Sequence, residues 1–227
     1  MALRYAAPFL YLDMMKRFLP LAVLLLALLQ SGCRPNAGLK SGETTIVLQP
    51  LNGYDPVTLG FLQKDLQQFY KKRVLILPSK DMPPEFIDQS KGKRYAAHKV
   101  IRWLTTGKAD SVIAVVGLTS EDIFTTKKDA NGEVKKPESK YAVWGIFGLG
   151  YCPGDACVIS DHRLKTADTE QFRRRLRTVV IHEIGHNLGL PHCPNKGCIM
   201  SDAHEKLSTV DSRSVAYCTA CSEKAGM

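Results

Sequence analysis

The 227-residue chain has no internal repeat, no run of more than three like charges and no apolar run longer than Phe18 to Leu29. Without repeats it is neither a solenoid nor a propeller. The apolar run falls short of the roughly 20 residues a transmembrane helix needs. The net charge of +9 is spread along the chain, so it reads as a solvated surface that could favour acidic partners or anionic lipid heads. No nucleic-acid partner is expected.

Against that background one stretch stands apart: His182 to Met200, HEIGHNLGLPHCPNKGCIM. His182 and His186 are four apart, so on a helix their rings leave one face one turn apart, about 5 to 6 Å between Cβ atoms. Imidazoles so spaced can share a zinc, which in a catalytic site takes three protein ligands and keeps one position open. If the helix continued, His192 would lie about 9 Å further along the axis and could not reach. Gly189 can take the left-handed conformation that ends a helix, and Pro191 prevents its resumption. His192 is then able to swing back under the metal. Glu183, beside the first histidine, is not expected to bind metal; its expected role is general base, taking a proton from water and passing it to the leaving amine.

Cys193 follows the third histidine, Cys198 comes after four residues, Met200 after one more, and Cys218-x-x-Cys221 after a further seventeen. From Thr178 to Cys221 the chain resembles the archaemetzincin family of zinc metallopeptidases. That family's signature is HExxHxxGxxHC, four residues, CxM, seventeen residues, CxxC, and each fixed position is present. The resemblance implies a metzincin-like fold, hydrolysis of peptide bonds and two zinc ions per chain. His182, His186 and His192 would bind the catalytic ion, Glu183 would be the base, and Met200 would form the methionine turn beneath the site. Cys193, Cys198, Cys218 and Cys221 would hold the structural ion. Four cysteines suit a closed thiolate tetrahedron; two disulfides are the alternative in an exported chain. Some metzincins carry a tyrosine shortly after the methionine, where this chain has Ser201 and Asp202; His204 reads as a loop residue before it reads as a helper.

The beginning is expected to stand outside the fold. Lys16 and Arg17 precede the apolar run in the manner of a signal peptide over residues 1–32, with Met14 or Met15 a better start than Met1. Leu28-Leu29-Gln30-Ser31-Gly32-Cys33 resembles a bacterial lipobox, in which Cys33 would be acylated; a plain secretory signal and an uncleaved anchor are the other readings. Removing residues 1–32 takes away three cations and one anion, leaving +7. Residues 33–43 would then be anchor and tether, and the protein would be exported and held at the periplasmic or cell-surface side of a bacterial membrane. Cys152 and Cys157 could form a small disulfide loop or remain free thiols.

The domain is expected over residues 44–221. Thr44 to Leu48, Arg73 to Leu77 and Ser111 to Leu118 read as strands, the second buried because Val74 to Leu77 is continuously apolar. Asp55 to Lys72 and Tyr95 to Thr105 have helical spacing. The order βαβαβ implies a mixed, mainly parallel sheet with crossover helices, an α/β fold. Asn131-Gly132 predicts a tight turn within charged residues 125–140. Tyr141 to Gly150, apolar with three glycines, is a candidate edge strand to which an extended substrate could add itself. Cys157 to Ser160 reads as the next strand. Asp168 with Gln171 matches a capping box opening the zinc helix, whose arginines 173, 174, 175 and 177 are expected to face solvent. Ser208 to Tyr217 reads as a last helix capped by Ser208, returning Cys218 and Cys221 to the first cysteine pair within a C-terminal subdomain. Ser222 to Met227 is expected to fray.

The resulting expectation is a monomeric zinc peptidase acting on a peptide or protein, with exo or endo cleavage open because no carboxylate can be assigned to hold a substrate amine. An envelope protein that binds zinc and holds peptides without catalysis is the alternative, and the presence of Glu183 argues against it. No cysteine lies between Cys33 and the first strand to act as an inhibitory ligand.

Overall fold

β-branched and apolar residues set the first strand, β1 (Thr45–Pro50), and Asp55 then caps α1 (Pro56–Tyr70) by accepting from the Thr58 amide at 2.8 Å. The computed structural model describes residues 44–202 and 206–227; the apolar run, Cys33 and His204 lie outside the described residues. After α1 come β2 (Arg73–Ile76), a 3-10 turn, β3 (Ile87–Asp88), β4 (Arg94–Ala96), α2 (Ala97–Leu104), β5 (Val112–Thr119) and β6 (Ile123–Thr125). The chain continues through α3 (Glu138–Tyr141), β7 (Trp144–Ile146), β8 (Gly148–Gly150), β9 (Ala156–Ser160), α4 (Thr169–Asn187), α5 (Leu207–Ser212) and α6 (Thr219–Ala225). None of these helices is long and apolar enough to cross a membrane.

The main sheet has the order β2-β1-β5-β9-β8, parallel except for β8, which runs antiparallel to β9 at the edge. Successive side chains on a strand leave opposite faces, and both faces are covered. Ile46, Leu48, Val116, Leu118, Cys157 and Ile159 pack toward α1 and α4, while Val47, Val115 and Val158 pack with Val100 and Ile101 of α2. This is why the strands read as nearly continuous apolar runs. A smaller sheet, β3-β4-β6-β7, flanks the first.

Several expectations are corrected. β2 is an edge strand with Ile76 and Leu77 exposed, since no further strand pairs with it among the described residues. The helix expected from Tyr95 begins at Ala97, since Tyr95 and Ala96 are drawn into the ladder with β6. Ser208 does not cap α5, which starts at Leu207 behind Lys206. The end is not frayed: Ala225 is fully buried four residues after the buried Cys221, and Gly226 closes α6 in the left-handed conformation. Cys152 and Cys157 are free thiols, the latter wholly buried in β9. The Asn131-Gly132 turn is present, with Gly132 at φ 82° and the Asp129 amide donating to the Glu133 carbonyl at 2.8 Å.

The largest correction concerns the arginines of α4. Asp168 caps the helix through the Glu170 and Gln171 amides, but the Gln171 side chain turns to Asp211 instead of closing a capping box. Arg175 is buried and forks onto the Asp211 carboxylate with both contacts at 2.7 Å. Arg174 donates to the carbonyls of Asp211 and Arg213. These charges therefore fasten the segment after α5 to the helix. A bidentate pair of this kind is worth more than an exposed one. Arg175→Ala is expected to lower the free energy of urea unfolding by about 2 kcal/mol, and Arg173→Ala by about 0.5 kcal/mol or less. The Arg175 guanidinium holds Asp211 below the usual carboxylate range, so the Arg175 increment is full above that range and is lost as pH falls through Asp211's lowered pKa. Equal effects of the two substitutions, or a pH-independent difference, would contradict this assignment.

Candidate metal centres

Helix α4 is buried through its second half, and His182 and Glu183 are 8% and 7% exposed. Burial there makes the helix a stiff carrier for the two histidines four residues apart. It ends where the sequence requires. Gly189 has φ 86°, its amide donates to the His186 carbonyl at 2.9 Å, and the Leu190 amide donates to the Gly185 carbonyl at 3.0 Å. This paired closure is a Schellman turn. His192 returns beneath the helix, and ligand atoms of His182, His186 and His192 all lie within 4.8 Å of one another.

The ring protons are fixed by what the rings touch. His182 Nδ1 lies 2.8 Å from the Ile199 carbonyl and His186 Nδ1 lies 2.8 Å from the Leu190 carbonyl. A carbonyl only accepts, so each Nδ1 carries the hydrogen and each Nε2 keeps its lone pair. Burial, then the neighbouring His186, pulls His182 down to about 3, and burial also lowers His186. Both rings are neutral and ligand-ready at neutral pH. The Asp202 carboxylate lies 3.9 Å from His192 Nδ1. This donor set fits a zinc of the three-histidine kind.

Glu183 does not join the cluster of ligand atoms. Its carboxyl accepts from the Gly150 amide, and burial pushes it up to about 8 against that bond and the Arg213 charge, which pull it down. A metal dication at the histidines would favour its ionised form. The edge strand β8 lies against it closely: a Cβ at Gly150 would stand 2.7 Å from the Glu183 carbonyl, and one at Gly148 would stand 2.8 Å from Glu183 Cγ. The glycines allow β8, the acid and the histidines to share one cleft of about 300 Å³.

Met200 is fully buried, and a side chain at Gly185 would overlap its sulfur. It packs under the helix between the two histidines. The second cluster is Cys193, Cys198, Cys218 and Cys221, again with ligand atoms within 4.8 Å. Cys193 and Cys218 sulfurs are 3.8 Å apart, far beyond a disulfide at about 2.05 Å and equal to the edge of a tetrahedron with zinc–sulfur distances of about 2.3 Å. All four are free thiols. The Cys221 amide and neighbouring thiols pull Cys218 down to about 7, while burial raises Cys198 and Cys221. The cluster therefore fits a closed zinc site better than the disulfide alternative.

Four contributors have no local signal in the sequence. Asn187 donates to the Tyr151 and Ala156 carbonyls, tying the end of α4 to the β8–β9 connection. Tyr70 and Tyr217 hydroxyls meet at 2.9 Å and both reach the Ile181 carbonyl. Arg213, 3% exposed, places Nη1 3.2 Å from the Ile199 carbonyl. Each acts across a long stretch of sequence, so only the assembled fold reveals it.

Comparison with known proteins agrees with this geometry. The model of the family described as Peptidase family M54 matches residues 83–226. An archaemetzincin of Archaeoglobus fulgidus is 30% identical over 179 residues, covering 79% of this chain and 97% of its own. The crystal structure of an A. fulgidus archaemetzincin complexed with malonate superposes with a TM-score of 0.65 at 29% identity, covering 80% of this chain and 99% of that one. An archaemetzincin of Methanopyrus kandleri gives a TM-score of 0.67 at 26% identity, covering 83% and 97%.

The close approach of β8 to α4 sets a stability test. Gly150→Ala overpacks backbone against backbone and is expected to cost about 1 to 3 kcal/mol. Gly60→Ala in α1, where a Cβ meets nothing within 4 Å, is expected to gain about 0.5 to 1 kcal/mol. Denaturant unfolding of both variants checks the pair, and a neutral Gly150→Ala would contradict the tight approach.

Proposed function

The chain belongs to peptidase family M54 and is a zinc metallopeptidase, and from that premise we propose that His182, His186 and His192 hold the catalytic zinc and Glu183 is the general base. The observation that carries the reading is the convergence of three imidazoles, two of them locked by backbone carbonyls with Nε2 free. Bound there, zinc supplies a Lewis acid that polarises the scissile carbonyl and acidifies water. An extended peptide adds to the free side of β8 through main-chain hydrogen bonds, and the missing side chains at Gly148 and Gly150 let that strand lie close to Glu183. The Gly150 amide holds the carboxylate facing the cleft, where it takes the proton of the attacking water and returns it to the leaving nitrogen. Met200 fixes the floor on which the histidine-bearing helix rests.

Cys193, Cys198, Cys218 and Cys221 would hold a second, structural zinc that closes the C-terminal subdomain, and Cys193, joined directly to His192, would thereby keep the third histidine in place. The protein acts as a monomer. The lipobox-like residues ending in Cys33, together with the basic and apolar stretch before them, support export and lipid anchoring at the outer side of a bacterial membrane, with peptides met there as substrates.

Replacement of the base separates catalysis from metal binding. Glu183→Gln is expected to keep its zinc and to cleave a mixed peptide library about a hundred- to ten-thousand-fold more slowly. Undiminished cleavage would remove Glu183 from the role, and absence of cleavage by the intact zinc-loaded chain would favour a peptide-holding protein. Products one residue shorter from the amino end would mark an aminopeptidase, and internal cuts an endopeptidase.

A further inference from the structure

Histidines that bind zinc through one ring nitrogen ordinarily donate the N–H of the other to a carbonyl or carboxylate, which strengthens the ring as a donor and tightens the metal. At His182 that arrangement is opposed. The Ile199 carbonyl that accepts from Nδ1 at 2.8 Å also accepts from Arg213 Nη1 at 3.2 Å. The guanidinium nitrogen stands 3.4 Å from the ring nitrogen itself. Since Nδ1 already carries a hydrogen, that contact is one donor beside another, both aimed at one oxygen.

Arg213 is 3% exposed, so solvent screens its charge little. Its Nε and Nη2 are buried and have no hydrogen-bond partner among the described residues. Asp202, Glu183 and Cys198 are the acidic side chains whose field reaches it. The backbone that carries this side chain is also held from behind. Arg174 of α4 donates to the Asp211 and Arg213 carbonyls, and Arg175 clamps the Asp211 carboxylate. The helix that presents His182 to the metal thus pins a cation against the far side of the same ring.

We propose that Arg213 is a charge-tuning residue: it draws electron density from the carbonyl that supports His182, weakening the hold of the three-histidine site on zinc while making the bound ion a stronger electrophile. This rests on reading the site as a zinc centre. Two like charges in a poorly screened interior repel strongly, and their separation here spans only one carbonyl and one imidazole. The role has a consequence that a merely structural arginine would not have. If Arg213 served only to hold the Ile199 carbonyl, its removal would loosen His182 and weaken metal binding. As a tuning charge, its removal tightens metal binding and slows turnover.

The experiment compares the full chain with Arg213→Met, Arg213→Gln and Arg213→Lys. Zinc affinity is measured by chelator competition. Cobalt(II) loading separates the sites, since thiolate charge-transfer absorption reports the cysteine site and the weaker visible bands report the histidine site. In Arg213→Met and Arg213→Gln the histidine site is expected to bind zinc about tenfold more tightly, the scale on which groups behind a ligand move metal affinity, with kcat reduced and KM little changed. Arg213→Lys, which keeps the charge, should stay near the parent. Weaker or unchanged zinc binding in the neutral variants overturns the proposal, as does a lysine variant that matches them. If Arg213→Met loses its cysteine-site signal, and with it the fold, Arg213→Gln carries the same comparison. A parent chain that takes no cobalt at the histidines would refute the zinc centre itself, and the proposal with it.

Discussion

One helix can bring two imidazoles to a point but not three, and the reversal at Gly189 is how this chain supplies the third. The Leu190 amide reaches back to the Gly185 carbonyl, so the turn that ends the helix is also the turn that aims His192. The carbonyls it frees are put to use: Leu190 accepts from His186, and Ile199, further along the same excursion, accepts from His182. The loop therefore orients the two helical histidines while it delivers the loop-borne one. Cys193 follows His192 directly, and its amide is bonded to the Met200 carbonyl at 2.9 Å. His192, Met200 and the first two cysteines of the cluster are consequently parts of one folded segment.

That segment needs a rigid base. Helix α4 lies between the main sheet and the C-terminal helices, and its buried half carries the histidines and Glu183. Its more exposed half is not idle: Arg174 and Arg175 secure the chain at Asp211 and Arg213, which in turn reaches the Ile199 carbonyl. On the opposite side, β8 approaches so closely that only glycine fits at 148 and 150. Glu183 is thus enclosed by a strand edge, a metal-ready triad and a guanidinium, and burial alone would keep its carboxyl protonated near neutral pH. A metal ion held at the three histidines would favour the ionised form of the acid.

Much of this was legible because its determinants are local. Spacing of His182 and His186, the Gly189–Pro191 stop and the cysteine pattern all lie within one continuous stretch, and the main parallel strands announce themselves as apolar runs covered on both faces. The second sheet was not legible, because β3, β4, β6 and β7 are two or three residues long, too short for alternation to register. For arginines 174 and 175, charge alone predicts solvent exposure, and the partner that engages them, Asp211, lies more than thirty residues away. Arg213, Asn187 and Tyr217 act through backbone carbonyls distant in sequence, which leaves no pattern to find. Ser222 to Met227 looked too small and polar to order, yet Ala225 needs only its one methyl to fill a space beside Cys221.

The proposed pairing of a three-histidine zinc site with a four-cysteine zinc site is open to zinc-edge X-ray absorption on the full chain. The expected result is two zinc ions per chain and an averaged first shell divided evenly between sulfur at about 2.3 Å and nitrogen or oxygen at about 2.0 to 2.1 Å. A single zinc with a shell of nitrogen and oxygen only, alongside cysteines that resist thiol reagents until reduced, would contradict it.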